Sequence, residues 1–522
     1  MTNSHDGADA PDFKLFSACF VALVATAFSF MLRIFLMDTW ADEFGLDNTQ
    51  KGTIFGAGLW PFGVSIVLFS IVLDRIGYGK AMAFSFICHV GFVGMTIMAG
   101  ANPESAYQYL YWGSVIGALG NGTVEAVINP LIATVYHKEK TKWLNILHAG
   151  WPGGLVVTGI VLFVIGDGME WQGKIALILI PTVIYGLMMM KQTFPVSERV
   201  TAGVSDREML GEVGWGGFFI AAAIICMELL GPKPGMDTNV LGLPALATGA
   251  QLGVAVVLAA IYGFFARSFG RPLYVFMLLV MLLLATTELG TDNWIKDLLG
   301  PAMENTFGID AGWVLVYTAS IMLLLRTFCG PIVEKLQPLG LLAASSATVC
   351  VGILALSFLT MAPDPSAFIV FLAATIYGMG QTFFWPTTLG FVSEQFPRGG
   401  AMTLNVIAGV GMLGVGVLGN AWLGNVQDTT IVASIAEADE ALVERFATEE
   451  KPSLFGAYRA LDGEAAKAAT SEEKAVLDQA QLEGKATALR KVVVLPLLML
   501  LAYLGLIAHF RGKGGYKPVE LN

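Results

Sequence analysis

Apolar residues run along this chain in blocks of about 20, separated by short stretches that hold most of its charge. A block of that length, wound as a helix, crosses a hydrocarbon layer about 30 Å thick. Six such spans lie near 13–37, 52–72, 81–100, 107–136, 143–165 and 172–190. Two follow near 214–231 and 243–266, and six more near 272–299, 312–333, 339–361, 367–392, 400–424 and 490–510. The pattern predicts an all-α polytopic membrane protein with about 14 transmembrane helices. The span near 214–231 is the weakest, being short and Gly-rich at its start.

Composition agrees with that reading. Of 522 residues, 55% are hydrophobic and 14% charged, against about 25% charged in soluble domains. A soluble enzyme, a secreted disulfide scaffold and a nucleic-acid binder are therefore poor fits. The five cysteines lie inside apolar blocks without CxxC spacing, and the five histidines form no HExxH pattern, so neither a disulfide framework nor a metal site is indicated. Residues 1–12 lack a basic n-region, so the first block is expected to serve as a retained anchor rather than a cleaved signal.

Charge sets the direction. With the N-terminus inside, the inner loops and C-terminal tail carry fifteen Lys/Arg against four in the short outer loops, which the positive-inside rule favours. Both termini are then cytoplasmic, as an even number of spans requires, and the chain is expected to be a multi-pass protein of the cell (cytoplasmic or inner) membrane. Segment 425–489, with 13 Asp/Glu and 6 Lys/Arg, falls outside. Ile431, Ile435, Leu442 and Phe446 recur there at helical spacing, and Thr470 with Glu473 reads as a capping box. These predict a helical hairpin broken at Pro452, with a solvated lid as the simplest role.

An internal repeat is legible at a fixed offset of 260. It relates Asp74-Arg75 to Glu334-Lys335, Gly120 to Gly380, and Asn145 to Asn405. Phe44-Gly45-Leu46-Asp47 and Phe307-Gly308-Ile309-Asp310 match with a three-residue slip. Two six-helix halves with an inserted helix pair account for this: 1–191, an insertion at 192–271, and 272–522 including the outer hairpin. Ser70-x-x-x-Asp74-Arg75-x-Gly77-x-Gly79-Lys80, echoed by Gly330-x-x-x-Glu334-Lys335, resembles the loop signature of the major facilitator superfamily. The resemblance implies two pseudo-symmetric six-helix bundles, alternating access, and Asp74, Arg75, Glu334 and Lys335 as a cytoplasmic gate. The two extra helices are expected to be peripheral.

Polar groups inside spans are functional candidates because each is expensive there. Glu125 lies mid-span, with Asn121 and Asn129 one turn to either side on a shared face. A carboxyl that is neutral in hydrocarbon and charged when wetted suits a proton carrier; the alternative is a carboxyl held protonated by the two asparagines. Glu125-x-x-x-Asn129-Pro130 also resembles the fourth helix of fucose permease and its relatives, the fucose-galactose-glucose:proton symporters, which implies a proton-coupling role for Glu125. Those relatives carry a carboxylate in their first helix, where this chain reads Leu32-Arg33-Ile34.

Arg33 falls in the outer third of the first span and maps by the repeat next to Asp292, with Glu288 one turn further in. Arg33, Glu288, Asp292 and Trp294 form a candidate outer gate; a static salt bridge is the rival. Arg326, about 12 Å of helix rise inside the membrane from Glu334, is a candidate to bind an anionic substrate, neutralise Glu125 or hold a carbonyl. Tyr377, Gln381 and Trp385 share a face that suits a hydroxylated ring. Pro130 and Pro386 are expected to interrupt corresponding helices, a pointer to a binding site. Asn145, His148 and Trp151 on the fifth span and Asn405 complete the candidate site, with His148 either a proton relay or a core histidine.

The function expected is secondary active transport, proton-coupled symport of a sugar or similar small polar solute. One alternative carries an organic or inorganic anion on the same fold; another is a non-transporting sensor derived from a transporter. No GxxxxGK[ST] phosphate loop is present, which argues against an ATP-driven pump. The chain is expected to be a monomer, not an enzyme, with no cofactor beyond a proton as coupling ion, and to bind a small-molecule substrate and lipid but no nucleic acid.

Overall fold

The apolar blocks form helices because a chain in hydrocarbon must satisfy its backbone groups internally. The computed structural model describes residues 13–46, 53–232, 238–239, 241–292, 312–362, 366–450, 455 and 457–521. Asp47, Trp294, 307–310 and Pro452, singled out in the sequence, lie outside them. Among the described residues, thirteen helices are long and apolar enough to span a membrane, and Leu315–Thr327 is a shorter apolar one.

In chain order the first half comprises α1 (Phe13–Phe44), α2 (Trp60–Ile76), α3 (Tyr78–Ala101), α4 (Ala106–Val135), α5 (Lys140–Ile165) and α6 (Trp171–Met189). The inserted pair is α7 (Asp206–Leu230) and α8 (Thr248–Ala266). The second half comprises α9 (Pro272–Gly290), α10 (Gly312–Thr327), α11 (Gly330–Thr360), α12 (Phe368–Gln395), α13 (Pro397–Ala438) and α14 (Ser471–Gly512).

The repeat has a packing basis. A Cβ at Gly120 in α4 would lie 2.8 Å from Cys88 in α3, and one at Gly380 in α12 would lie 2.7 Å from Val349 in α11. Small residues let both pairs of helices approach closely, as membrane packing requires. The halves meet along α2 and α13, where Gly63 faces Leu413 and Gly409 faces Val67.

Three boundaries differ from the sequence reading. α7 begins at Asp206 behind a capping box of Ser205 and Glu208, and bends at Gly214 (φ 62) against Gly270. Glu334-Lys335 sits inside the first turns of α11 rather than closing α10, which ends at Thr327. α11 bends at Gln337 (φ 58), because the residue before Pro338 is driven out of the α region. Pro130 does not interrupt α4, which runs unbroken to Val135, whereas α12 does break at Thr382–Phe383, just before Pro386.

Beyond the apolar stretches, α13 continues to Ala438 and α14 starts at Ser471. They pack around Ile431, Ile435, Val443, Phe446, Leu477 and Ala480. Gly484 admits the Ile431 side chain, and the Thr470–Glu473 capping box is present.

Candidate functional site

Proline chemistry organises the centre of the molecule. A helical proline has no N–H, so the carbonyl four residues earlier loses its partner. In a dry interior that carbonyl needs another donor. Pro130 frees the Ala126 carbonyl in α4, which accepts from Asn405 Nδ2 of α13 at 3.0 Å. Pro386 frees the Thr382 carbonyl in α12, which accepts from Arg326 Nε at 2.7 Å. Pro152 frees the His148 carbonyl in α5, which accepts from an Arg326 terminal nitrogen at 3.0 Å. Two of these three bonds join one half of the molecule to the other.

Arg326 is fully buried, and its remaining nitrogen pairs with Glu288 at 3.2 Å. Glu288 projects from a π-helical turn, Thr286–Gly290, the kind of local widening found at functional sites. One turn on, Asp292 accepts from Tyr377 (3.0 Å) and Gln381 (2.9 Å) of α12. In the first half, Asn129 Nδ2 donates to Glu125 at 2.6 Å, and His148 Nε2 donates to Asn129 Oδ1 at 2.8 Å. A continuous polar line thus runs Glu125–Asn129–His148–Arg326–Glu288 across the interface. Three carboxyls (Glu125, Glu288 and Asp292) share this region with one guanidinium. Unpaired buried charge is costly, and among the described residues this region holds more carboxyls than cations.

Several candidates take other places. Asn121 drifts about 80° around α4 from Asn129, at 100° per residue. It bonds His89 (2.9 Å) and Ser29 (3.2 Å) instead, in a network that reaches Tyr185. Asn145 reaches across the interface to Thr387 at 3.2 Å. Trp151 packs on Phe30, and Trp385 lies against Gly411. Of the three roles open to Arg326, the structure fills the carbonyl-holding one and supplies Glu288, not Glu125, as its partner. Arg33 meets neither Glu288 nor Asp292. Its Nε donates to the Ser29 carbonyl at 3.2 Å, and one buried terminal nitrogen has no partner.

The loop-rich ends of α2, α5, α7, α11 and α12 meet at one end of the bundle, the basic face. The motif residues engage partners outside the motif. Asp74 pairs with the nearly buried Arg199 at 2.6 Å, Arg75 with Asp206 at 2.9 Å, and Glu334 with Lys142 at 3.5 Å; Lys335 is exposed. The exposed pairs contribute little, so Asp74–Arg199 is the firm contact. The sequence reading missed Glu394, at the end of α12. It accepts from both the backbone (3.2 Å) and hydroxyl (2.5 Å) of Thr141 at the start of α5, closing the halves together. Lys140 adds Glu198 (2.7 Å) and the Ser393 carbonyl (3.3 Å). The C-terminal tail holds Glu394 from behind through the Tyr516 hydroxyl (2.5 Å) and the Val519 N–H (2.8 Å). Burial and the Glu394 carboxylate push the Tyr516 hydroxyl upward, so it remains a donor. The motif Glu394-Gln395-Phe396-Pro397 carried a usable signal, an acid at the end of a span before proline.

The model of one family, the Major Facilitator Superfamily, matches residues 18–419, more than three quarters of the chain. The chain belongs to the major facilitator superfamily. Its fold is similar to that of the proton:xylose symporter XylE, from E. coli, with TM-score 0.60 and 14% identity over 94% of this chain and 95% of that one. It is also similar to the human organic anion transporter MFSD10 (TM-score 0.54, 12% identity, 95% and 100% covered). FucP in its outward conformation gives TM-score 0.51 at 14% identity, with 93% and 98% covered. No curated protein matches the chain by sequence. Membership makes this a superfamily transporter with a multi-pass membrane fold, a small-molecule substrate and lipid around it.

Proposed function

We propose that this transporter couples the movement of a small polar solute, of the sugar class, to protons by alternating access between its two halves. The observation that carries the reading is the polar line from Glu125 to Glu288, in which two buried carboxyls, with the half-buried Asp292 beside them, share one guanidinium. Such a set changes its proton content when water enters from either side, because hydration removes the cost of charge. Glu125 is the coupling carboxyl, and Arg326 with Glu288 senses whether the halves are together. Similarity to a proton:xylose symporter, to FucP and to the nucleoside transporter NupG supports polar, hydroxylated cargo.

The fifteen-to-four distribution of Lys/Arg supports a cytoplasmic location for the basic face. The latch of Thr141 on Glu394 then belongs to a state closed toward the cytoplasm. The protein works as a monomer in the cell membrane, without a cofactor.

Accumulation in proteoliposomes tests the reading. An inward proton gradient should drive a hydroxylated solute above its outside concentration, and a protonophore should abolish the accumulation. Equilibration that ignores the gradient would make the protein a uniporter. Stoichiometric binding with no flux would make it a sensor.

A further inference from the structure

An amide side chain has two unlike ends, a nitrogen that only donates and an oxygen that only accepts. The Asn129 nitrogen faces Glu125, donating to its carboxyl Oε2 at 2.6 Å and to its backbone carbonyl at 3.1 Å. The Asn129 oxygen faces His148 Nε2 at 2.8 Å. That contact is a bond only while Nε2 carries a hydrogen, so the imidazole is either the Nε2–H form or the cation. Glu125, Asn129 and His148 are all buried, where a polar group that loses its partner is costly.

Local chain chemistry places His148. The helical run of α5 is interrupted at His148–Ala149, four residues before Pro152. Pro152 leaves the His148 carbonyl without its helical donor, and Arg326 of the other half takes it at 3.0 Å. The residue is thus pinned through its backbone on one side while its ring reaches α4 on the other. Arg326 is the charge that acts on both Glu125 and His148, and Glu288 and Asp292 of α9 act on Arg326 in turn.

A donor facing a carboxyl stabilises its ionised form, and an acceptor facing it stabilises the acid. The end of Asn129 that Glu125 meets therefore decides which form the site favours, and His148 decides the end. We propose that His148 is a positioning residue for proton coupling, which holds the Asn129 oxygen and so keeps an amide N–H on Glu125. A proton added at Oε2 meets an N–H that cannot accept it, so the amide turns over and gives up its bond to His148. The inference rests on the transport reading above and adds the residue that sets how readily its coupling carboxyl is protonated. A histidine that only filled the core would leave Glu125 indifferent to the side chain at position 148.

The test follows the infrared band of the protonated Glu125 carboxyl across pH, in the purified full chain in lipid nanodiscs. The band is identified as the one that Glu125→Gln removes. In His148→Leu it should persist at a pH where the wild type has lost it, with the midpoint displaced by roughly one unit or more, as loss of a hydrogen bond to a charged group implies. His148→Asn is polar but too short to reach Asn129; it should behave as His148→Leu and carries the test if the leucine variant does not fold. His148→Gln, long enough to donate from its amide, should titrate with the wild type. A band that titrates alike in wild type and His148→Asn, a His148→Gln that restores nothing, or no titrating band lost in Glu125→Gln would each overturn the proposal. An unmoved band in a protein that accumulates solute with protons would sink this inference and leave the transport reading standing. A band that moves as expected in a protein that carries nothing would do the reverse.

Discussion

Arg326 is a side chain whose position explains itself only through its neighbours' prolines. It spends two nitrogens on carbonyls that Pro152 and Pro386 have stripped of their helical donors, and a third on Glu288. Removing one member of a buried pair costs about 3–5 kcal/mol, so Arg326→Gln should lower the thermal midpoint by several degrees and abolish transport. Adding Glu288→Gln should return only the part of the stability that the unpaired carboxylate cost, read by thermal unfolding in detergent, without returning transport. A single variant as stable as the wild type would show that the pair holds nothing together. At this scale the sequence was half legible. The prolines and Arg326 stand out in a hydropathy reading, but which carbonyl meets which donor depends on how helices cross. That is why Asn405 turned out to hold Ala126, and why Asn121 left the site for His89.

Among elements, the contact of α5 with α12 at the basic face decides whether the halves are shut on that side. A Cβ at Gly390 would collide with Thr141. Gly390→Ala should therefore pry α5 from α12 and raise the alkylation rate of a cysteine placed at Ala401, beside the small cavity behind the latch. Glu394→Gln should have the same sign and a smaller effect, since it weakens two bonds from Thr141 without adding bulk. Tyr516→Phe removes one of the tail's two holds on Glu394 and should raise the same rate by a few-fold. If all three variants label like the wild type, Glu394 is not a latch. Helices and their ends were largely readable, since apolar blocks and the Thr470–Glu473 cap are local signals. The latch was not, because Lys140, Thr141 and Arg199 look in sequence like ordinary loop polarity, and the acid before Pro397 marks Glu394 without naming its partner.

For the molecule as a whole, the offset of 260 found in the sequence has a physical counterpart in Gly120 and Gly380, each letting a helix pair close. The hairpin beyond α13 and α14 has its own small core around Ile435 and Phe446, away from the polar line. Deleting 432–485 and bridging the ends with a short flexible linker should leave solute uptake within about twofold of wild type, as expected of an independently packed insertion. Loss of uptake with normal expression would give the hairpin a part in transport. Overall architecture was the most legible level, since spans, halves and insertions are written in long patterns that no single contact can overturn.

The central claim is that solute and proton move together through a site that contains Glu125. It is tested most directly by the internal pH of proteoliposomes loaded with a pH-sensitive dye and challenged with a saturating polyhydroxylated solute. Wild-type vesicles should acidify on solute addition. Glu125→Gln keeps an acceptor for Asn129 and so keeps the fold, and its vesicles should show no acidification. Equal acidification by Glu125→Gln and wild type would contradict the account.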